Sequence, residues 1–140
     1  MEYIYDGHGR RTSQRVQAAG AASPQTTHFL YHGQDVLLEL EDGVLARRTL
    51  HGPAVDQILA VDSGAGSTGQ ARVLWHLSDH LGTPRDLVDH GGAVVNHRVF
   101  DAFGNLTSQT SNDPAVSTRY SFTGREYDAA TGLHHYRARY

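Results

Sequence analysis

Apolar and polar residues alternate along several short segments of the chain, which is typical of β-strands that bury one face. In 73–77, the odd-numbered side chains share one face, whereas Leu74 and His76 take the other. The same strand character is found in 28–31, 36–40, 44–50, 93–100, 120–122 and 136–140. Asp42-Gly43, between two of these segments, is a strong signal for a two-residue hairpin turn.

A recurring reversal separates many of these segments: an Asp followed three or four residues later by a Gly. The five pairs are Asp6 with Gly9, Asp79 with Gly82, Asp89 with Gly92, Asp101 with Gly104, and Asp128 with Gly132. The Asp side chain is expected to accept hydrogen bonds from the amides two and three residues on, while Gly supplies the positive φ that closes the turn. The pattern predicts an all-β fold, an antiparallel meander of short hairpins.

Three stretches are expected to be loops or linkers because they lack an apolar pattern: 17–27, the Gly/Ser-rich 62–70, and 107–117. They divide the chain into hairpins over 1–60, a linker over 61–72 and a second hairpin segment over 73–140. A short helix over 54–61 is an alternative to strand there. Whether the two halves form one sheet or two stays open.

Composition supports this interpretation and narrows the function. The 140 residues contain eleven Asp but only four Glu, and all twelve basic residues are Arg. Asp and Gly favour turns over strand and helix interiors, so the composition disfavours an all-helical bundle. The net charge of −3 gives no reason to expect a nucleic-acid partner. No stretch approaches the ~18 apolar residues of a membrane span.

The chemistry-bearing residues do not form a catalytic pattern. The chain has no Cys, which excludes thiolate metal sites and cysteine nucleophiles. It has ten His, but the close pairs are expected to lie on turns or opposite strand faces and not to converge on a metal. These pairs are His76 with His80, His90 with His97, and His134 with His135. We therefore predict no catalytic, cofactor-binding or metal-ligating residue and no cofactor.

Several motifs, taken in order along the chain, resemble one family. Tyr5-Asp6-x-x-Gly9-Arg10 is similar to the Tyr-Asp repeat of Rhs proteins. Further motifs resemble, in order, the C-terminal part of the Rhs repeat-associated core. They are Asp79-His80-Leu81-Gly82-Thr83-Pro84, Asp101-Ala102-Phe103-Gly104-Asn105, Phe122-Thr123-Gly124, Asp128-x-x-Thr131-Gly132-Leu133 and Ala138-Arg139-Tyr140. The resemblance is dense from Trp75 to Tyr140 and sparser from Met1 to Pro53.

This resemblance implies a structural role. Rhs and related Tyr-Asp-repeat proteins wind β-sheets into a hollow shell that encloses a C-terminal toxin, and bacteria export these assemblies. We therefore expect the chain to be a wall segment of such a shell, without catalytic activity of its own. Its partners would be other Tyr-Asp repeats, its own copies and, in a full-length parent, the enclosed toxin. Secretion or a place at the cell surface is implied for the full-length family.

The resemblance also implies that the chain is a fragment. Family members commonly cleave themselves at an Asp-Pro-x-Gly-type motif beyond the core, and Asp113-Pro114-Ala115-Val116 lacks the Gly of that motif. The chain ends at Tyr140, before the motif and the toxin would follow. An excised run of repeats leaves terminal strands unpaired, and Lys, a common guard of exposed edges, is absent. Weak solubility or self-association is the expected consequence.

Two alternatives remain open. Tyr-Asp repeats have been associated with carbohydrate binding, so the chain could be a carbohydrate-binding or cell-surface interaction module built from exposed Arg and Tyr. It could also be a small hydrolase or metalloprotein that uses its histidines. A glycan array without hits would dispose of the first alternative, and a metal-free folded protein would dispose of the second.

Overall fold

The computed structural model describes residues 1–63, 72–112 and 116–136. Ten strands form one antiparallel sheet, and their order in the sheet is their order in the chain. These strands are β1 (Glu2–Tyr5), β2 (Arg11–Val16), β3 (Gln25–His32), β4 (Asp35–Glu41), β5 (Val44–His51), β6 (Ile58–Ser63), β7 (Arg72–Ser78), β8 (Pro84–Val88), β9 (Val94–Phe100) and β10 (Leu106–Ser111). The prediction of an all-β antiparallel meander is confirmed.

The two halves of the chain belong to one sheet. Strand β6 pairs with β7, with Ala60 opposite Trp75 and Val61 opposite Leu74. This pairing settles the question that the sequence left open. The further division into 1–60, 61–72 and 73–140 stays a prediction, because most of the proposed linker lies outside the described residues.

The turn between β4 and β5 is the two-residue hairpin that the sequence predicts. Glu41 is paired with Val44, and both central residues have positive φ, 49° at Asp42 and 84° at Gly43. Two consecutive positive φ values define the type I′ turn, whose twist matches that of the flanking strands. An Asp-Gly pair adopts these angles at low cost.

The C-terminal segment 116–136, which we call the strap, lies across one face of the sheet. It contains a single 3-10 turn, Phe122–Gly124, and a second small sheet formed by β11 (Glu126–Asp128) and β12 (Leu133–His135). An isolated β-bridge between Tyr120 and Glu126 pairs the first part of the strap with the β11–β12 hairpin. The described residues contain no α-helix.

The apolar core lies between the strap and the sheet, in two clusters. In the first, Val116 of the strap packs with three buried side chains from strands β7 to β9: Leu74, Leu87 and Val95. In the second, Tyr120 packs against Ile58 and Val61 of β6. The buried face of β7 is therefore the one that carries Leu74, while Trp75 and Leu77 are exposed on the other face.

Several predicted boundaries are wrong. All of strand β10 after Leu106 lies inside the predicted loop 107–117, and the first three residues of β3 lie inside the predicted loop 17–27. Strand β6 replaces the possible helix over 54–61, and 120–122 is a bridge leading into the 3-10 turn. Of the predicted strand 136–140, residue 136 is not in a strand, and 137–140 lie outside the described residues, as do 64–70 of the predicted linker 62–70. These segments form strands because they pair with a neighbouring strand, and their local propensity alone does not determine this.

No helix in the described part of the chain has the length and apolar character that crossing a membrane requires.

Candidate functional site

The Asp-led reversals share one geometry. In the first, Asp6 Oδ1 accepts hydrogen bonds from the amides of His8 and Arg10, both at 2.9 Å, and the amide of Gly9 donates to the main-chain oxygen of Asp6 at 3.0 Å. Gly9 has a φ of 75°, which places it in the left-handed region. This is the three-residue hairpin loop that ends in a glycine bulge.

The same arrangement recurs at Asp79, Asp89 and Asp101. Each Oδ1 accepts from the amides two and four residues on, at 2.8 to 3.1 Å. The amide three residues on, which the sequence analysis assigned to the side chain, donates instead to the main-chain oxygen of the Asp. The Gly partners of the four reversals and of the longer one at Asp128 all have positive φ: Gly9, Gly82, Gly92, Gly104 and Gly132.

These hydrogen bonds act on the acidity of the Asp residues. The amide of Arg10 holds the pKa of Asp6 at about 2. The amide of Ala93 lowers the pKa of Asp89, and the side chain of Asn105 lowers that of Asp101. A carboxylate that accepts several amide bonds is held ionised, so these residues serve the turns and are poor proton donors.

The strap is held to the sheet by polar contacts that move from one strand to the next. Near the start of the strap, the side-chain amide of Asn96 in β9 donates to the Val116 main-chain oxygen at 3.3 Å. The Tyr120 hydroxyl then lies 3.2 Å from that of Thr49 in β5. At its end, the Tyr3 hydroxyl of β1 donates to Asp128 at 2.5 Å. The strap therefore connects both sides of the sheet.

His76 is buried beneath the strap, with 6% of its surface exposed. Its Nδ1 lies 3.2 Å from the Leu74 main-chain oxygen, and its Nε2 lies 2.9 Å from Thr118 Oγ1. Because a carbonyl only accepts, Nδ1 carries the proton and Nε2 accepts from the Thr118 hydroxyl. Burial lowers the pKa of His76 to about 4, and the neighbouring Arg98 adds to this effect.

A network of buried charges lies where the strap crosses β2 to β4. Glu126 Oε2 accepts from Arg11 at 2.8 Å and from Arg119 at 2.7 Å. Arg119 also contacts Glu39 of β4 at 3.0 Å. The guanidinium groups of Arg11 and Arg119 lie 4.7 and 4.6 Å from the ring centre of Phe29.

Arg11 is 1% exposed and Glu39 is 2% exposed, so both charges are removed from water. Burial opposes the charge of Arg119, but the carboxylates of Glu126 and Glu39 outweigh it and raise its pKa. A buried ion of this kind is tolerated only when its partners are in place. The network can therefore hold the strap in one position.

The histidine pairs singled out from the sequence are not brought together into a metal site. His76 is buried under the strap, whereas His80 is exposed at the tip of the following turn. His97 is exposed and bonds Asp86 at 2.6 Å, and His134 stacks near Tyr127. Among the described residues, no group of three or more His, Asp or Glu is arranged to hold a metal ion.

The face of the sheet opposite the strap carries an apolar row. Leu50, Ala60, Trp75, Val88 and Val94 are direct cross-strand neighbours from β5 to β9. Trp75 is 45% exposed, and the two ends of the row are also exposed. Side chains alternate along a strand, so these residues point away from Thr49 and Leu74, which contact the strap.

The sheet ends at strands β1 and β10. Among the described residues, β1 pairs with β2 alone and β10 with β9 alone. Every residue of β10 is exposed. The free edge of β10 presents backbone groups to which a further strand can bind.

Sequence reasoning missed the strap and its charged partners. It assigned no role to Arg11, Glu39, Arg119 or Glu126, and it did not predict β2. The pairing of residues more than a hundred positions apart has no local signal.

The chain is similar in sequence to parts of much longer proteins. It is 26% identical to the tRNA3(Ser)-specific nuclease WapA of Bacillus spizizenii over 141 residues, which covers 99% of this chain and 6% of the relative. It is 27% identical to salivary gland surface protein 1 of Aedes aegypti over 143 residues, covering 99% of this chain and 4% of that protein. No family model matches the chain.

Solved structures share the fold. The crystal structure of TcdB2–TccC3 without its hypervariable C-terminal region matches 99% of this chain with a TM-score of 0.75 and 20% identity, over 7% of its own length. The Photorhabdus luminescens Tc holotoxin pore matches 97% of the chain with a TM-score of 0.71 and 18% identity, again over 7% of its length. The chain thus spans a small fraction of the proteins it resembles, and these comparisons support a relation to Rhs-type Tyr-Asp-repeat proteins.

Proposed function

We propose that the chain is a wall segment of an Rhs-type shell, from the C-terminal part of its repeat-associated core, without catalytic activity of its own. The observation that carries this proposal is the ten-strand meander, in which each strand pairs with its sequence neighbours and, within the described part of the chain, no strand pairs with the outer edge of β1 or β10. A repeat sheet of this kind extends by adding hairpins at its edges. The match of nearly the whole chain to a small part of a Tc toxin chain supports it.

The proposed partners follow from the same geometry. Further Tyr-Asp repeats would pair with β1 and β10, and in a full-length parent the wall would enclose a C-terminal toxin. We propose a secreted or cell-surface location for that parent and no nucleic-acid partner for this segment. The Asp-led turns and the strap would serve the wall, because both fix the position of hairpins.

The experiment that tests the proposal measures the mass of the isolated chain by light scattering as a function of concentration. We expect concentration-dependent association, because β10 offers an unguarded edge. A double variant, Ser108→Lys with Thr110→Lys, places charges on that edge and should restore the monomer. The matched control, Ala18→Lys with Ala22→Lys, adds the same charge in the exposed loop between β2 and β3 and should leave association unchanged.

A cooperatively folded monomer at every concentration would contradict the wall proposal, and so would equal effects of the two double variants. The chain would then be complete as a folded unit without neighbours. Catalytic inactivity needs its own test, which is the absence of turnover by the purified chain on nucleic-acid, peptide and glycoside substrates.

A second candidate function is a carbohydrate-binding or cell-surface interaction module. The exposed Trp75 in the apolar row favours it, because an exposed aromatic ring on a sheet face offers a stacking platform. Binding to a glycan array that is lost in Trp75→Ala and kept in Leu30→Ala, an apolar change on the same face, would support this candidate. An array without hits would rule it out.

A further inference from the structure

Arg98 is a buried cation for which the described residues provide no carboxylate partner. It is 6% exposed, and its Nη1 and Nη2 donate to the main-chain oxygens of Tyr120 and Pro84 at 2.9 and 2.8 Å. Its Nε is buried and has no hydrogen-bond partner. Burial alone lowers its pKa to about 10. By contrast, the buried Arg11 is paired with both Glu126 and Asp128.

This uncompensated charge lies at a cleft between the β9–β10 hairpin and the β11–β12 hairpin. The cleft has a volume of about 540 Å³, within the range of small-molecule sites. None of the described residues that line it is an Asp or a Glu, although the chain as a whole carries a net charge of −3. Low-dielectric walls around a single cation concentrate a positive potential inside such a cleft.

The polar groups that line the cleft besides Arg98 are neutral, and some of them lack hydrogen-bond partners. Asn96 Oδ1 and His134 Nε2 are buried without a hydrogen-bond partner. Burial lowers the pKa of His134, which keeps its ring uncharged at neutral pH. Buried polar atoms without partners in the protein are uncommon, and at a cleft they are available to a bound molecule.

The rim of the cleft is aromatic. Phe103, at the tip of the β9–β10 turn, is 88% exposed, and Tyr127 on the other side is also exposed. Phe103 occupies the third position of the Asp-led reversal, where the other reversals carry the smaller or more polar His8, Gly91 or Ala130, or the aliphatic Leu81. The exposed Phe103 ring is therefore available for contact with a bound molecule.

We propose that this cleft binds an organic carboxylate that carries a six-membered ring, with the carboxylate drawn toward Arg98 and the ring packed against Phe103 and Tyr127. The positive charge of the guanidinium attracts a carboxylate, and any hydrogen bond between the two is charge-assisted. The inference does not depend on the wall function, since it uses only the chemistry of one cleft. A ring carboxylate could come from an aromatic acid or from an acidic sugar, and the experiment distinguishes these sources.

The experiment uses calorimetric titration of the full chain at pH 7 and low salt with four probes: benzoate, benzamide, glucuronate and glucose. Benzamide and glucose keep the ring and remove the charge. We expect one of the two carboxylates to bind about tenfold or more tightly than its neutral counterpart, the difference expected of a charge-assisted contact. Tighter binding of benzoate identifies an aromatic acid, whereas tighter binding of glucuronate identifies an acidic sugar.

Variants locate the site. Phe103→Ala should weaken binding about fivefold, the effect of losing one ring contact, whereas Leu81→Ala, at the same position of the neighbouring turn and outside the cleft, should leave it unchanged. Arg98→Gln should abolish the preference for the charged probe. Should Arg98→Gln fail to fold, the Phe103 and Leu81 pair and the charged and neutral probes decide the question. Equal binding of charged and neutral probes, no saturable binding, or equal effects of the two alanine variants would overturn the proposal.

Discussion

Acidification should loosen the strap through His76. The neutral ring is held between the Leu74 carbonyl and the Thr118 hydroxyl, and the pKa of His76 falls from 6.5 to about 4 because of burial. In the unfolded chain the ring regains its ordinary pKa, so between pH 6.5 and 4 the unfolded state binds a proton that the folded state does not. The free energy of unfolding therefore decreases by about 1.4 kcal/mol for each pH unit lost in this window, about 3 kcal/mol in total.

The assay is urea unfolding at pH values from 7 to 4.5, with wild type compared with His76→Gln and with His80→Gln. His80 is exposed at a turn and serves as the matched control. His76→Gln should be less stable at pH 7 but should lose the steep part of the pH dependence, whereas His80→Gln should retain it. The Asp carboxylates contribute with the same sign, but only near and below their unfolded pKa of 3.8, outside most of this range. Parallel pH profiles for wild type and His76→Gln would refute the reasoning.

Three further substitutions test the strap and the core, each by urea unfolding. Glu126→Gln should lower the free energy of unfolding by about 3 kcal/mol, because it removes the carboxylate that the guanidinium groups of Arg11 and Arg119 share. Glu41→Gln, at a more exposed pair, should lower it by less than about 1 kcal/mol. Equal losses would contradict the role of the network. Gly124→Ala should lower the free energy of unfolding more than Gly33→Ala. Both glycines have positive φ, but only at Gly124 would a Cβ lie 2.5 Å from the main-chain oxygen of Asp56. Equal losses would exclude that clash. Leu87→Ala, at a fully buried site, should cost about 3 kcal/mol, and a loss below about 1 kcal/mol would contradict its place in the core.

The parts of the fold that the sequence predicted are those that local chemistry determines. An Asp-Gly pair and the Asp-led reversals specify their own backbone angles, so these turns can be read from four or five residues. The alternation in 73–77 correctly separated Leu74 and His76 from Trp75, but it did not indicate which face is buried. That choice depends on where the strap lies, and no pattern within the strand records it.

The parts that the sequence did not predict depend on distant partners. Strand β10, with the sequence LTSQTS, has no apolar alternation because it lies exposed at the edge and is defined by its pairing with β9. The charged site was equally hidden, since Tyr3 and Asp128 are 125 residues apart and Arg11 and Glu126 are 115 apart. Opposite charges that are scattered in sequence are usually solvated pairs, and only the strap's path makes these exceptions.

The strap gives the buried polar residues a task that stability alone does not explain. Apolar side chains of equal size could replace many of them at little cost. A one-residue slip of a strand, however, turns every side chain to the other face. Such a slip of β4 would remove Glu39 from Arg119, and a slip of β7 would place Trp75 under the strap and turn His76 away from Thr118. An apolar interface tolerates such errors, whereas unpaired buried charges do not. The polar contacts along the strap therefore favour a single register for the meander, which a sheet built from similar hairpins would otherwise define weakly.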